Sequence, residues 1–108
     1  MTKELKDKIL QHLEWMQGLT GQQILVKDWI STSGRGYDKH QTRYGKQIIK
    51  IENYSVRMSG AMATIYSEHQ QIEYRTDAIK MIECIDDECV LEINMKGDVW
   101  RRIHISKI

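Results

Sequence analysis

Between Thr2 and Gln17 the apolar positions recur every three or four residues: Leu5, Ile9, Leu13 and Met16 share one side, with Lys6, Asp7, Gln11 and Glu14 on the other. This spacing predicts a helix over 2–17. Thr2 suits the N-cap, Glu4 the first turn and Gly18 the C′ position. Leu10 and Trp15 widen the apolar stripe, either as packing at its edge or as a contact for a partner. After Gly21 the pattern changes to short runs rich in β-branched and aromatic residues, which predict strands at 22–31, 47–58, 61–67, 71–75, 81–85, 89–95 and 99–106. A single helical turn is expected over 76–80. Inside 47–58, Ile49 and Ile51 alternate in one phase and Tyr54, Val56 and Met58 in the other, which predicts a bulge or sharp bend near Glu52-Asn53.

A helix followed by about six strands predicts an α+β fold. The helix packs on a strongly bent, mostly antiparallel sheet, as a small barrel or roll whose element order is that of SH3-like and Sm-like domains. A chain of 108 residues buries about two thirds of its surface, enough for one core, so a single domain over 1–108 is expected. Its parts are the helix 2–17, antiparallel strands within 22–106 and a long basic loop at 32–46. Leu5, Ile9, Leu13 and Met16 are expected to be buried against the sheet, because so short a helix needs tertiary packing.

Hydrophobic residues make up 41% of the chain and charged residues 29%, the balance of a globular protein rather than a disordered one. The aliphatic run Ile24-Leu25-Val26 is too short to span a bilayer, and the charged stretch Thr2–Lys8 lacks the apolar core of a signal peptide. No membrane contact and a cytoplasmic location are expected. Pro and Phe are absent while Ile and Lys are abundant, a bias that suits an AT-rich bacterial or phage genome.

Cys84 and Cys89 flank Ile85-Asp86-Asp87-Glu88, and a two-residue turn at Asp86-Asp87 would place the cysteines opposite each other in a hairpin. They read either as two buried, reduced thiols or as a cross-strand disulfide. Zinc is not expected, because a structural site takes four ligands and no second close Cys/His pair exists. His12, His40, His69 and His104 are scattered, Gly34-Arg35-Gly36 and Ser59-Gly60 match no phosphate loop, and Asp86-Asp87-Glu88 reads as a solvated turn rather than a calcium loop. No cofactor, metal or catalytic residue is expected, and the chain reads as a non-enzyme.

Charge is segregated although it sums to only +1. Residues 32–50 carry Arg35, Lys39, Arg43, Lys46 and Lys50 against Asp38, whereas 66–93 is strongly acidic and 94–108 basic again. The leading expectation is a small binding module that meets nucleic acid or a nucleoprotein complex through Arg35, Tyr37, Lys39, His40, Arg43, Tyr44, Lys46 and Lys50. Trp100, Arg102 and His104 of the last strand form a second contact row, unless Trp100 covers the end of the sheet against the helix. The basic segment reads equally as a solvated hairpin tip. The alternative partner is a protein, captured by a phage-type modulator or inhibitor through the acidic hairpin or the Trp100, Arg102, His104 row. A further alternative is a homodimer or larger homo-oligomer joined by edge strands.

Overall fold

The computed structural model describes residues 2–31, 42–57, 60–97 and 99–108, the side chains of Thr42 and Arg43 excepted. Helix α1 (Lys3–Gln17) begins after Thr2, whose Oγ1 accepts a hydrogen bond from the Leu5 amide at 3.1 Å, as its N-cap role requires. Gly18 caps the other end in the right-handed conformation at φ −74°, donating its amide to the Glu14 carbonyl, rather than as the left-handed residue expected of it. The left-handed position comes later, at Gly21 with φ +87°. There a side chain would be strained, and the chain turns into the first strand.

The strands are β1 (Gln23–Ser31), β2 (Thr42–Lys50), β3 (Asn53–Arg57), β4 (Met62–Tyr66), β5 (Gln71–Arg75), β6 (Ile79–Ile85), β7 (Glu88–Lys96) and β8 (Val99–Lys107), with a 3-10 turn at Thr76–Ala78. They pair antiparallel in two sheets, one of five strands in the order β2-β1-β8-β7-β6 and one of three in the order β3-β4-β5. The α+β class with antiparallel strands is as expected. The single bent sheet is not: neither sheet is closed among the described residues, so the barrel suggested by the element order is replaced by two open sheets.

The change of phase near Glu52-Asn53 marks where the chain leaves one sheet for the other. β2 ends at Lys50 and β3 starts at Asn53, with Ile51 and Tyr54 both buried. Each phase points inward because each serves a different sheet of the same core. The expected loop ends earlier than 46: Arg43 to Lys46 already belong to β2, paired with Ile30 to Lys27. Only 32–41 lies between the strands, outside the described residues.

One cluster of buried side chains joins all elements. The large sheet supplies Ile24, Val26, Ile49, Ile79, Ile82, Cys89, Leu91, Ile93, Ile103 and Ile105; the small sheet supplies Tyr54, Ala63, Ile65, Ile72 and Tyr74. Ile9 and Met16 reach it from the helix, and Leu19 from the turn that follows. Leu5 and Leu13 are only partly buried, and the deepest helical position between Ile9 and Met16 is His12, with no exposed surface. Periodicity thus finds the right face of the helix but misses the polar residue at its centre. Leu10 stays exposed and Trp15 packs at the edge of the cluster. No helix among the described residues is long and apolar enough to cross a membrane.

Candidate functional site

Alternation along a strand sends successive side chains to opposite faces. With Ile24 and Val26 inward, β1 turns Leu25, Lys27 and Trp29 outward, and the register aligns them with β2 and β8. Trp29 stands between Tyr44 and Arg102, and Lys27 between Lys46 and His104. The rings of Trp29 and Tyr44 are 5.1 Å apart and tilted by 36°, and the Arg102 guanidinium sits 5.8 Å from the Trp29 ring centre. Both distances suit aromatic and cation–π contact. Trp100, in the next row, is paired with Ser31 and Asn94.

Across β2, β1 and β8 this outer face carries Lys27, Lys46, Lys50 and Arg102, together with His104, and no carboxylate among the described residues. On β7 and β6 the same face carries Glu83, Glu88 and Glu92. His104 marks the seam, with Nε2 3.2 Å from Glu88 Oε2. The segregation read along the chain is therefore also a segregation across one surface.

Of the expected contact residues, the structure brings together Tyr44, Lys46, Lys50, Trp100, Arg102 and His104 on this face. Tyr44, Lys46 and Lys50 are exposed, while Trp100, Arg102 and His104 are half-buried. Trp100 does not cover the sheet against the helix, because it points away from the core. Arg35, Tyr37, Lys39 and His40 lie outside the described residues, and the side chain of Arg43 does too. Lys27 and Trp29 are additions. Sequence reasoning missed them because β1 is apolar in both phases, at Leu25 and Trp29 as well as at Ile24 and Val26. Asp28 on the inner side blurs the alternation further.

That inward Asp28 has a partner. Arg101 Nε and Nη2 donate to its two carboxylate oxygens at 3.0 and 2.7 Å, and Nη1 donates to the Glu73 carbonyl of the small sheet. One guanidinium thus ties β1, β8 and β5 together, with the fork geometry that suits arginine. Each of its three nitrogens donates to one of these acceptors, so this pair reads as structural.

A second polar group in the core is less complete. His12 Nε2 lies 2.7 Å from Tyr74 Oη, which lies 2.6 Å from Tyr54 Oη. His12 Nδ1 has no hydrogen-bond partner among the described residues. A proton on Nδ1 would be a buried donor without an acceptor, so the favoured order is Nε2–H to Tyr74 and Tyr74 O–H to Tyr54. Burial lowers the His12 pKa to about 4, so the ring is neutral at pH 7. It also pushes the Tyr54 hydroxyl up to about 12 and Tyr74 well above its usual range, the two tyrosines reinforcing each other at Tyr74.

Cys84 and Cys89 face each other across the β6–β7 hairpin, as the turn at Asp86-Asp87 predicts, with Cα atoms 4.1 Å apart. They are joined in a disulfide. The reading as two buried thiols is corrected: Cys89 is buried but Cys84 is exposed, because the hairpin end extends past the core. A ring nitrogen of His12 and the two sulfurs lie within 4.8 Å of one another. The sequence gives no sign of this neighbourhood, since His12 arrives from the helix. No family model matches the chain, and no curated protein or solved structure matches it either.

Proposed function

We propose that the chain is a non-catalytic binding module for single-stranded nucleic acid, using the outer face of β2, β1 and β8. The observation that carries this reading is the row Tyr44–Trp29–Arg102, two aromatic rings and a guanidinium in contact on a surface with four cations. Bases stack on such rings at about 1 to 3 kcal/mol each, and the cations meet the phosphates between them. Glu83, Glu88 and Glu92 would repel a polyanion, which confines the strand to one side of the sheet.

The test is fluorescence anisotropy with a labelled mixed-sequence DNA or RNA strand of about twelve nucleotides, within the usual site size. Four phosphate contacts predict a plot of log K against log salt with a slope of about −3. Trp29→Ala should weaken binding roughly 5- to 100-fold, the equivalent of one stacked base. Lys27→Gln with Lys46→Gln should flatten the slope by about 1.4, or 0.7 per lost contact. No binding at low salt, or an unchanged affinity in the folded variants, removes this face from the function. Capture of one protein that persists after nuclease treatment would support the modulator instead, with the acidic hairpin as its contact.

A further inference from the structure

We propose that the reduced Cys84–Cys89 pair and His12 form a binding site for a soft monovalent metal ion, Cu(I), which the disulfide closes. Two thiolates and an imidazole are the donor set that such an ion favours. The three side chains converge within 4.8 Å although one comes from the helix and two from a hairpin. His12 supplies the second, independent observation, since its ring is fully buried and Nδ1 has no partner among the described residues.

The arrangement behind the ring supports the same role. A histidine that binds a metal commonly donates its other N–H to a fixed acceptor, which sets the tautomer and aims the lone pair. Here Nε2 has Tyr74 Oη at 2.7 Å, held in turn by Tyr54. That leaves the Nδ1 lone pair for the ion. Among the described residues no carboxylate or further histidine joins the cluster, so it offers three ligands. Three suffice for Cu(I), whereas structural zinc takes four. Access is from the side of Cys84, which is exposed and borders a hollow of about 360 Å³ lined by Lys8, Gln11, Ile82, Glu83 and Ile85.

The chemistry has two steps. A dithiol reductant transfers two electrons to the sulfur–sulfur bond, becoming a cyclic disulfide itself and leaving two thiols on the chain. Cu(I) then binds both sulfurs and Nδ1, and the two thiol protons pass to solvent. Oxidation of the metal-free dithiol by a disulfide reverses the first step.

The experiment uses the full chain, reduced with dithiothreitol, desalted without oxygen and titrated with Cu(I) against a chromogenic Cu(I) chelator. The reduced chain should take up one Cu(I), the oxidised chain none. X-ray absorption should report two sulfur ligands and one nitrogen. Cys84→Ser, at an exposed position, should weaken binding by at least about 100-fold, the upper end for losing even a supporting group. His12→Gln, checked for folding by circular dichroism, should lose the nitrogen ligand. Should that variant unfold, the absorption spectrum of the unaltered chain decides alone. Uptake by neither form, equal uptake by both, unchanged affinity in Cys84→Ser, a sulfur-only spectrum, or displacement of Cu(I) by equimolar zinc would each overturn the site.

Discussion

The two faces of the five-stranded sheet are built from the same strands and differ in almost every respect. Inward lie Ile24, Val26, Leu91, Ile103 and Ile105, all with 1% exposure or less. Outward, one residue away, lie Lys27, Trp29, Arg102 and His104. Because the side-chain period of a strand is two, a slip of one residue would exchange these sets. The register is therefore held by the difference between the faces. The polar group on the inner face is tolerated because it is satisfied: Arg101 gives Asp28 a two-pronged partner, whereas His12, which meets the core from the helix, keeps one atom without any among the described residues. Exceptions on the outer face, such as Ile48 at 62% exposure, leave no polar group stranded.

This contrast breaks most visibly on the inner side. Leu91→Ala, at the middle of the sheet, should cost about 2 to 5 kcal/mol by urea denaturation, the range for an emptied core site. The oligonucleotide affinity of the folded fraction should not change. A loss under about 1 kcal/mol would mean that the two faces are not divided between stability and binding as described.

Acid should reach the core behind that face through His12 of the helix. Its folded pKa of about 4 lies below the unfolded value of 6.5, so on acidification the unfolded chain takes up a proton before the folded one does. Stability should be full above about pH 6.5 and fall by about 3 kcal/mol on the way to pH 4, then level off as far as this residue is concerned. Denaturation at a series of pH values checks it, and a folded His12→Gln variant should lose that portion of the slope.

The smallest effect belongs to the outer face. Ile48→Thr keeps a β-branched side chain on an edge strand, and stability should stay within about 0.5 kcal/mol. A larger loss would show that Ile48 is packed against something on that face.

Much of the fold was legible locally. The bounds of β5 are those of its alternating run, and the Cys84–Cys89 pairing follows from the turn at Asp86-Asp87, since a short hairpin fixes its own register. What escaped depends on distant pairing. The phase change after Ile51 was visible, but nothing local says that the chain passes to a second sheet. For the candidate face, Tyr44, Lys46 and Arg102 could be named from composition, while Trp29 could not. Its direction is fixed only when β8 pairs with β1 from the far end of the sequence. His12 read as one polar residue in an amphipathic stripe, because its neighbours come from β5 and the β6–β7 hairpin.

The position of β8 has a kinetic consequence. It follows every other strand along the chain, yet it lies at the centre of the large sheet, paired on both sides by β1 and β7. During synthesis β1–β2 and β6–β7 can each form as local hairpins, but they have nothing to join them until β8 has emerged. Until then Ile24, Val26 and Leu91 face water. The step that joins the sheet closes a loop of 68 residues between Ser31 and Trp100, so folding should be slow for a chain this small. The nascent chain is then most exposed to aggregation just before its last strand is complete, and a chain lacking β8 should remain as two separate hairpins rather than a weakened sheet.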